Sequence, residues 1–150
     1  MKLLYRLFNI GYPIFKKLFP YQVYLYLVTG AINTAINMGL FAMFINILSD
    51  NIFAIELATF LSFSVTIFTG FWFSRNFAFS QVKTSQTIKS SQFKKYVLVA
   101  LQGQVNGYLI TKSLIFFLSI NPIVAYIATA IFMLTLNYFL QKYYSFKASV

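Results

Sequence analysis

Two positively charged side chains stand inside aromatic stretches of closely similar layout. Arg75 lies in Phe71-Trp72-Phe73-Ser74-Arg75-Asn76-Phe77, and Lys142 in Tyr138-Phe139-Leu140-Gln141-Lys142-Tyr143-Tyr144. A base set among rings can hold a phosphate while the rings of Trp72, Phe77 and Tyr144 lie against lipid or a sugar face. The Arg fork suits bidentate phosphate contact better than a Lys ammonium does. The same residue types also serve as ordinary anchors at a membrane interface. A second group is uncharged: Thr29, Asn33 and Asn37 follow one another at i, i+4, and Gln102, Gln104, Asn106 and Asn137 sit in the other half of the chain. Amides in an apolar run either bind helices together or replace water around sugar hydroxyls. Gly30, Ala35 and Gly39 would let a neighbouring helix come close to the first of these faces. The third candidate is a pair, Glu56 with Lys112, the one base inside an apolar run, which could snorkel, form a structural pair or guide a charged substrate.

Much chemistry is excluded by what is missing. Cys and His are absent, so a zinc centre, a disulfide framework and a His-assisted nucleophile are all ruled out. The only acids are Asp50 and Glu56, and they form no Asp-x-Asp pair. No catalytic residue, metal ligand or cofactor site is therefore assigned, and the expectation is a protein without enzymatic activity of its own. Twelve Lys and Arg against these two acids raise the question of nucleic acid, but the bases lie between apolar runs with no soluble module to present them. Anionic membrane lipid or a phosphorylated substrate is the expected counter-charge.

The elements that must position these groups are hydrophobic helices. The 150-residue chain is 59% hydrophobic and 9% charged, a balance that would leave a soluble fold of this size with large exposed apolar patches. Runs at 21–48, 52–73, 96–119 and 123–140 each approach or exceed the roughly 20 residues needed to cross a bilayer. Short turns at 49–51 and 121–122 join them in pairs. The pattern predicts an all-α integral membrane protein of four transmembrane helices, arranged as two parallel two-helix repeats. Residues 1–20 read as a cytoplasmic interfacial arm in which Gly11 and Pro13 interrupt a continuous helix, and residues 21–150 as one membrane domain with repeat halves at about 21–80 and 93–146. The polar stretch 81–95 reads as a loop or surface helix. Bases cluster in the arm, the central stretch and the carboxyl end, while the two turns hold none, so both termini are expected on the cytoplasmic side.

The halves align. Residues 70–79 fall over 137–146, keeping aromatic, base, aromatic and Phe in step; Tyr26-Leu27-Val28 falls over Tyr96-Val97-Leu98, and Ala58 over Ala125. Together with Val28-Thr29-Gly30-Ala31-Ile32-Asn33-Thr34 in the first run and Asn137-Tyr138 through Lys142, Tyr144 and Phe146 at the end, this layout resembles the GtrA-like family of small four-helix membrane proteins. The departures are Gly70 in place of the family's usual Asn, Lys142 in place of Arg, and Phe77 and Tyr144 where Trp is common.

The resemblance implies a place in the bacterial cytoplasmic membrane and the flipping or presentation of a polyprenyl-phosphate-linked sugar for cell-surface polysaccharide synthesis or glycosylation. Arg75 and Lys142 would then hold the carrier's phosphate. A glycosyltransferase of the same pathway is the implied partner. The alternative is a non-transporting subunit that anchors or stabilises that transferase. Four short helices enclose little volume, and a homodimer would give a roomier path.

Overall fold

The computed structural model describes residues 2–48, 52–80 and 86–147. They form α1 (Lys2–Phe15), α2 (Tyr21–Ile47), α3 (Ala54–Phe73) with a π-helical turn π1 (Ser74–Ala78), α4 (Gln86–Leu118), and α5 (Pro122–Leu140) with a second π-helical turn π2 (Gln141–Ser145); no strand occurs among the described residues. Among the described residues, three stretches are long and apolar enough to span a membrane: Tyr21–Ile47, Ala54–Ala78 and Val124–Ser145. In α4, Gln102, Gln104, Asn106 and Lys112 dilute the apolar run. This helix starts ten residues before the apolar stretch that the sequence marks out, so most of the expected surface segment continues directly into it. Gln, Lys and Ser with neither Gly nor Pro between 86 and 102 give no signal to stop. Residues 81–85 and the first turn, Asp50 included, lie outside the described residues.

The chain divides into two compact units, Met1–Gln81 and Val82–Val150. In the first, α3 buries Ala54, Ala58, Ser62, Thr66 and Gly70, one small side chain every fourth residue. Such a row lets a partner helix approach closely, which is the main source of helix association where lipid removes the hydrophobic drive. α2 turns Thr29 inward as a fully buried residue and half-buries Asn33 and Asn37 in the same i, i+4 row. Gly30 is one residue, about 100°, off that row. The expectation that Gly30 and Gly39 create the close approach therefore fails: a Cβ built on either meets nothing within 4 Å. The small-residue face belongs to α3.

The amino-terminal arm is also more regular than expected. α1 runs unbroken through Pro13, which lies in its last turn, where the lost N–H removes a single helical hydrogen bond. Gly11 has a packing role instead. A Cβ there would stand 2.5 Å from the Tyr24 hydroxyl, which donates to the Phe8 carbonyl at 2.9 Å. Phe8, Tyr24, Leu25 and Phe77 form the buried cluster that docks α1. The Phe8 and Phe77 rings meet edge to face at 5.1 Å, and Tyr21 Oη donates to Asn9 Oδ1 at 2.7 Å. Ile10, Ile14 and Leu18 remain exposed, which suits a helix lying in a lipid interface.

The glycines give a direct check. Gly30→Ala and Gly39→Ala are expected to be neutral or to stabilise by about 0.5–1 kcal/mol, because only backbone entropy changes. Gly11→Ala should destabilise by about 1 kcal/mol through loss of the Tyr24–Phe8 bond. Thermal unfolding of the purified protein in one detergent measures all three.

In the second unit α4 packs against α5 and π2. The junction between the helices places Ser119 in the left-handed region (φ 50°), after which the Ile120 N–H reaches the Leu114 carbonyl at 3.4 Å. Pro122 then opens α5 with its φ already suited to a first helical residue. Ala125, Thr129, Met133, Gln141 and Ser145 are buried along α5 and π2, at the positions aligned with Ala58, Ser62, Thr66, Ser74 and Ala78 of the first unit, which are likewise buried.

Candidate functional site

Each hairpin ends in a π turn, and each π turn carries the candidate base as its second residue: Arg75 in Ser74–Ala78 and Lys142 in Gln141–Ser145. The wide turns are closed by the same bond, Phe79 N–H to the Ser74 carbonyl and Phe146 N–H to the Gln141 carbonyl, both 2.8 Å. Phe79 and Phe146 are each 2% exposed and so pin the end of the turn into their own unit. π turns are rare, and those that occur are concentrated at functional sites. Sequence reading missed them, since i→i−5 bonding leaves no hydropathy signature. The paired Phe at 79 and 146 was the available clue.

Around Arg75, which is half-buried, Trp72 is half-exposed and meets Phe73 at 5.2 Å and Phe77 at 5.7 Å. Phe77 is 1% exposed and cannot present its ring to lipid or sugar. The π turn carries it inward onto Phe8, which corrects the expectation of an aromatic interface at this position. Lys142 places Nζ 5.6 Å from the Tyr138 ring centre and 5.4 Å from that of Tyr143. Tyr144 stays 46% exposed beneath Lys95 Nζ at 5.3 Å. Each lysine thus lies over a ring face at the rim of an aromatic surface, where an anion can meet it.

The amides of the first unit are engaged with α3. Asn33 Nδ2 donates to the Thr66 carbonyl (3.2 Å) and Asn33 Oδ1 accepts from Thr69 Oγ1 (2.6 Å). Asn37 Nδ2 donates to Thr66 Oγ1 (3.0 Å), whose own proton goes to the Ser62 carbonyl (2.8 Å). Thr29 Oγ1 donates back within α2, to the Leu25 carbonyl at 2.7 Å. Of the two readings open for this face, the geometry is that of interhelical binding.

In the second unit Gln102 and Gln104 are exposed and Asn106 is half-buried. Gln102 and Asn106 share an i, i+4 row from which Gln104 is turned away, so the three do not make one face. Asn137 lies opposite Gly103, where a Cβ would come within 2.9 Å of its Nδ2. In the alignment of the halves Gly103 answers to Asn33 and Asn137 to Gly70: each hairpin has one amide at this level, on opposite helices. Among the described residues, five buried side-chain atoms have no hydrogen-bond partner, namely Gln92 Oε1, Thr129 Oγ1, Asn137 Oδ1, Gln141 Oε1 and Ser145 Oγ, and all five belong to the second unit. An unpartnered buried polar group costs on the order of 1–3 kcal/mol. Sequence reading singled out only Asn137 among them.

Glu56 is exposed in the first turn of α3, where a carboxylate suits the helix dipole. Lys112 is exposed and turns to its own helix, with Nζ donating to Tyr108 Oη at 3.4 Å and 5.5 Å from that ring's centre.

Apolar helices of spanning length, a first hairpin held by amide and hydroxyl bonds, and basic aromatic turns at the hairpin ends define a small multi-span membrane protein without strands among its described residues. The family model for the GtrA/DPMS transmembrane domain matches residues 25–146, and the chain belongs to that family. Membership assigns it a role in membrane-associated polysaccharide or glycosylation pathways. No curated protein sequence matches the chain closely enough to refine this.

Proposed function

We propose that the chain moves or presents a polyprenyl-phosphate-linked sugar across the bacterial cytoplasmic membrane. Four helices cross, as two hairpin repeats with the same orientation, and the π turns and termini lie on the cytoplasmic side, where most of the basic residues gather. The observation that carries this reading is the placement of Arg75 and Lys142 in equivalent π turns bordered by aromatic rings. There a base meets the carrier's phosphate at headgroup depth, and Trp72 and Tyr144 offer ring surface to the prenyl chain or the sugar. No bond is made or broken by this chain; a separate glycosyltransferase supplies or consumes the sugar.

Proteoliposomes containing only this protein test the reading. Polyprenyl-phosphate glucose placed in one leaflet should reach the other at least tenfold faster than in protein-free vesicles, read as the fraction open to external periodate. Equal rates would end the transport reading. Loss of a transferase from the membranes of cells lacking the chain would then favour anchoring.

A further inference from the structure

We infer that the second unit alone carries the track for the sugar, a row of uncharged hydrogen-bonding groups formed by Thr129, Asn137, Gln141 and Ser145 with Gln92 at its end. The inference rests on the lipid-linked-sugar reading above and assigns the headgroup a path of its own, apart from the phosphate.

The four residues of α5 and π2 are separated by steps of four or eight, so they lie along one i, i+4 ridge that winds up the helix for about 24 Å at 1.5 Å per residue, most of a hydrocarbon core of roughly 30 Å. Gln92 lies one turn before Tyr96 on α4, and the Tyr96 ring packs 6.3 Å from Phe146, which brings Gln92 to the Ser145 end of the row. Each member has a buried polar atom without a partner, and Gln92, Thr129, Gln141 and Ser145 are all at least nine-tenths buried. In lipid such groups are retained at a cost, and among the described residues the unpartnered atoms all fall in the second unit. Three of the aligned positions of the first unit are relieved of that cost: Ser62 donates to the Thr59 carbonyl at 3.1 Å, and Gly70 and Ala78 have no side-chain polar atom.

The chemistry of the row selects its occupant. Three amides and two hydroxyls both donate and accept, and no charge is among them. A neutral group rich in hydroxyls answers this set, because every sugar hydroxyl also does both. Lys142, next to Gln141, and Lys95, next to Tyr96, stand at the row's end, where a phosphate joined to the sugar would rest. The row is shut in this structure, and loading it requires α4 and α5 to part. At Gly103 and Gly107, α4 faces Asn137 and Met133 with bare backbone.

The test is thermal unfolding of the full chain in detergent with a short-chain prenyl phosphate or the same lipid bearing glucose. Wild type should be stabilised by both, and by several degrees more by the glucosylated lipid. Thr129→Val, Asn137→Leu and Ser145→Ala should each raise Tm without lipid, since an unpartnered polar atom is removed, keep the shift given by prenyl phosphate, and lose the increment given by glucose. Ser62→Ala should keep both. Equal stabilisation of wild type by the two lipids would overturn the sugar track while leaving the phosphate reading in place, and this comparison needs no variant to fold. Survival of the glucose increment in the three variants would overturn it too, reducing the row to buried polar packing. No shift with either lipid would remove the underlying reading and the track together.

Discussion

Replacing Asn33 by Leu should unlock the first hairpin and sharply reduce the amount of protein in the membrane. The change removes the bond to the Thr66 carbonyl and leaves Thr69 Oγ1 without its 2.6 Å acceptor, and interhelical bonds of this kind contribute roughly 0.6–2 kcal/mol each in lipid. A branched side chain must also enter a face built for close approach to Thr66 and Gly70. The expected loss is about 2 kcal/mol or more, a large share of the marginal stability of a small protein. Asn46→Leu is the matched control, because its amide donates to its own helix, at the Ala42 carbonyl, and is exposed. Membrane abundance by quantitative blotting and thermal unfolding in detergent should both separate the two variants. Normal abundance of Asn33→Leu would contradict the hairpin role.

The second large effect is expected from Arg75→Lys. Charge and interfacial position are kept, so insertion and abundance should stay near wild type, but the planar fork that can grip two phosphate oxygens is lost. Transfer of prenyl-phosphate glucose in proteoliposomes should fall by about tenfold, the equivalent of about 1.4 kcal/mol. Lys142→Arg should leave transfer unchanged or raise it slightly. Full transfer by Arg75→Lys, with loss of membrane protein in Arg75→Gln, would leave only the anchoring role.

Much of the helical layout could be read from hydropathy. The run 21–48 became Tyr21–Ile47, 52–73 became Ala54–Phe73 and 123–140 became Pro122–Leu140, since long apolar runs bounded by Asp, Asn, Ser and Pro define their own ends. Hydropathy says little about which side of a uniformly apolar helix faces its partner. That is why Gly30 and Gly39 drew attention while the true contact row, Ala54 to Gly70 on α3, passed unnoticed, although its small residues recur every fourth position. Pro13 and Gly11 suggested a break, and tertiary docking onto Tyr24 overrode the local preference. The face of Thr29, Asn33 and Asn37 was legible from its spacing. The buried row of the second unit was not, because Thr129, Gln141 and Ser145 are ordinary residues until their surroundings show that no partner is supplied.

The exchange of Asn33 and Gly70 for Gly103 and Asn137 ties the fate of positions that are far apart in the chain. In the second hairpin the Asn137 amide faces bare backbone on the opposite helix, and an added Cβ at Gly103 would meet it at once; in the alignment of the halves Asn33 and Gly70 hold the same level of the first. A substitution acceptable on one helix thus depends on what the other helix already carries, so these positions are epistatic within a hairpin. Copying the residue at 33 into 103, or that at 137 into 70, would set two amides at one level. The halves are therefore not interchangeable parts, and changes that would make them alike again must arrive in pairs.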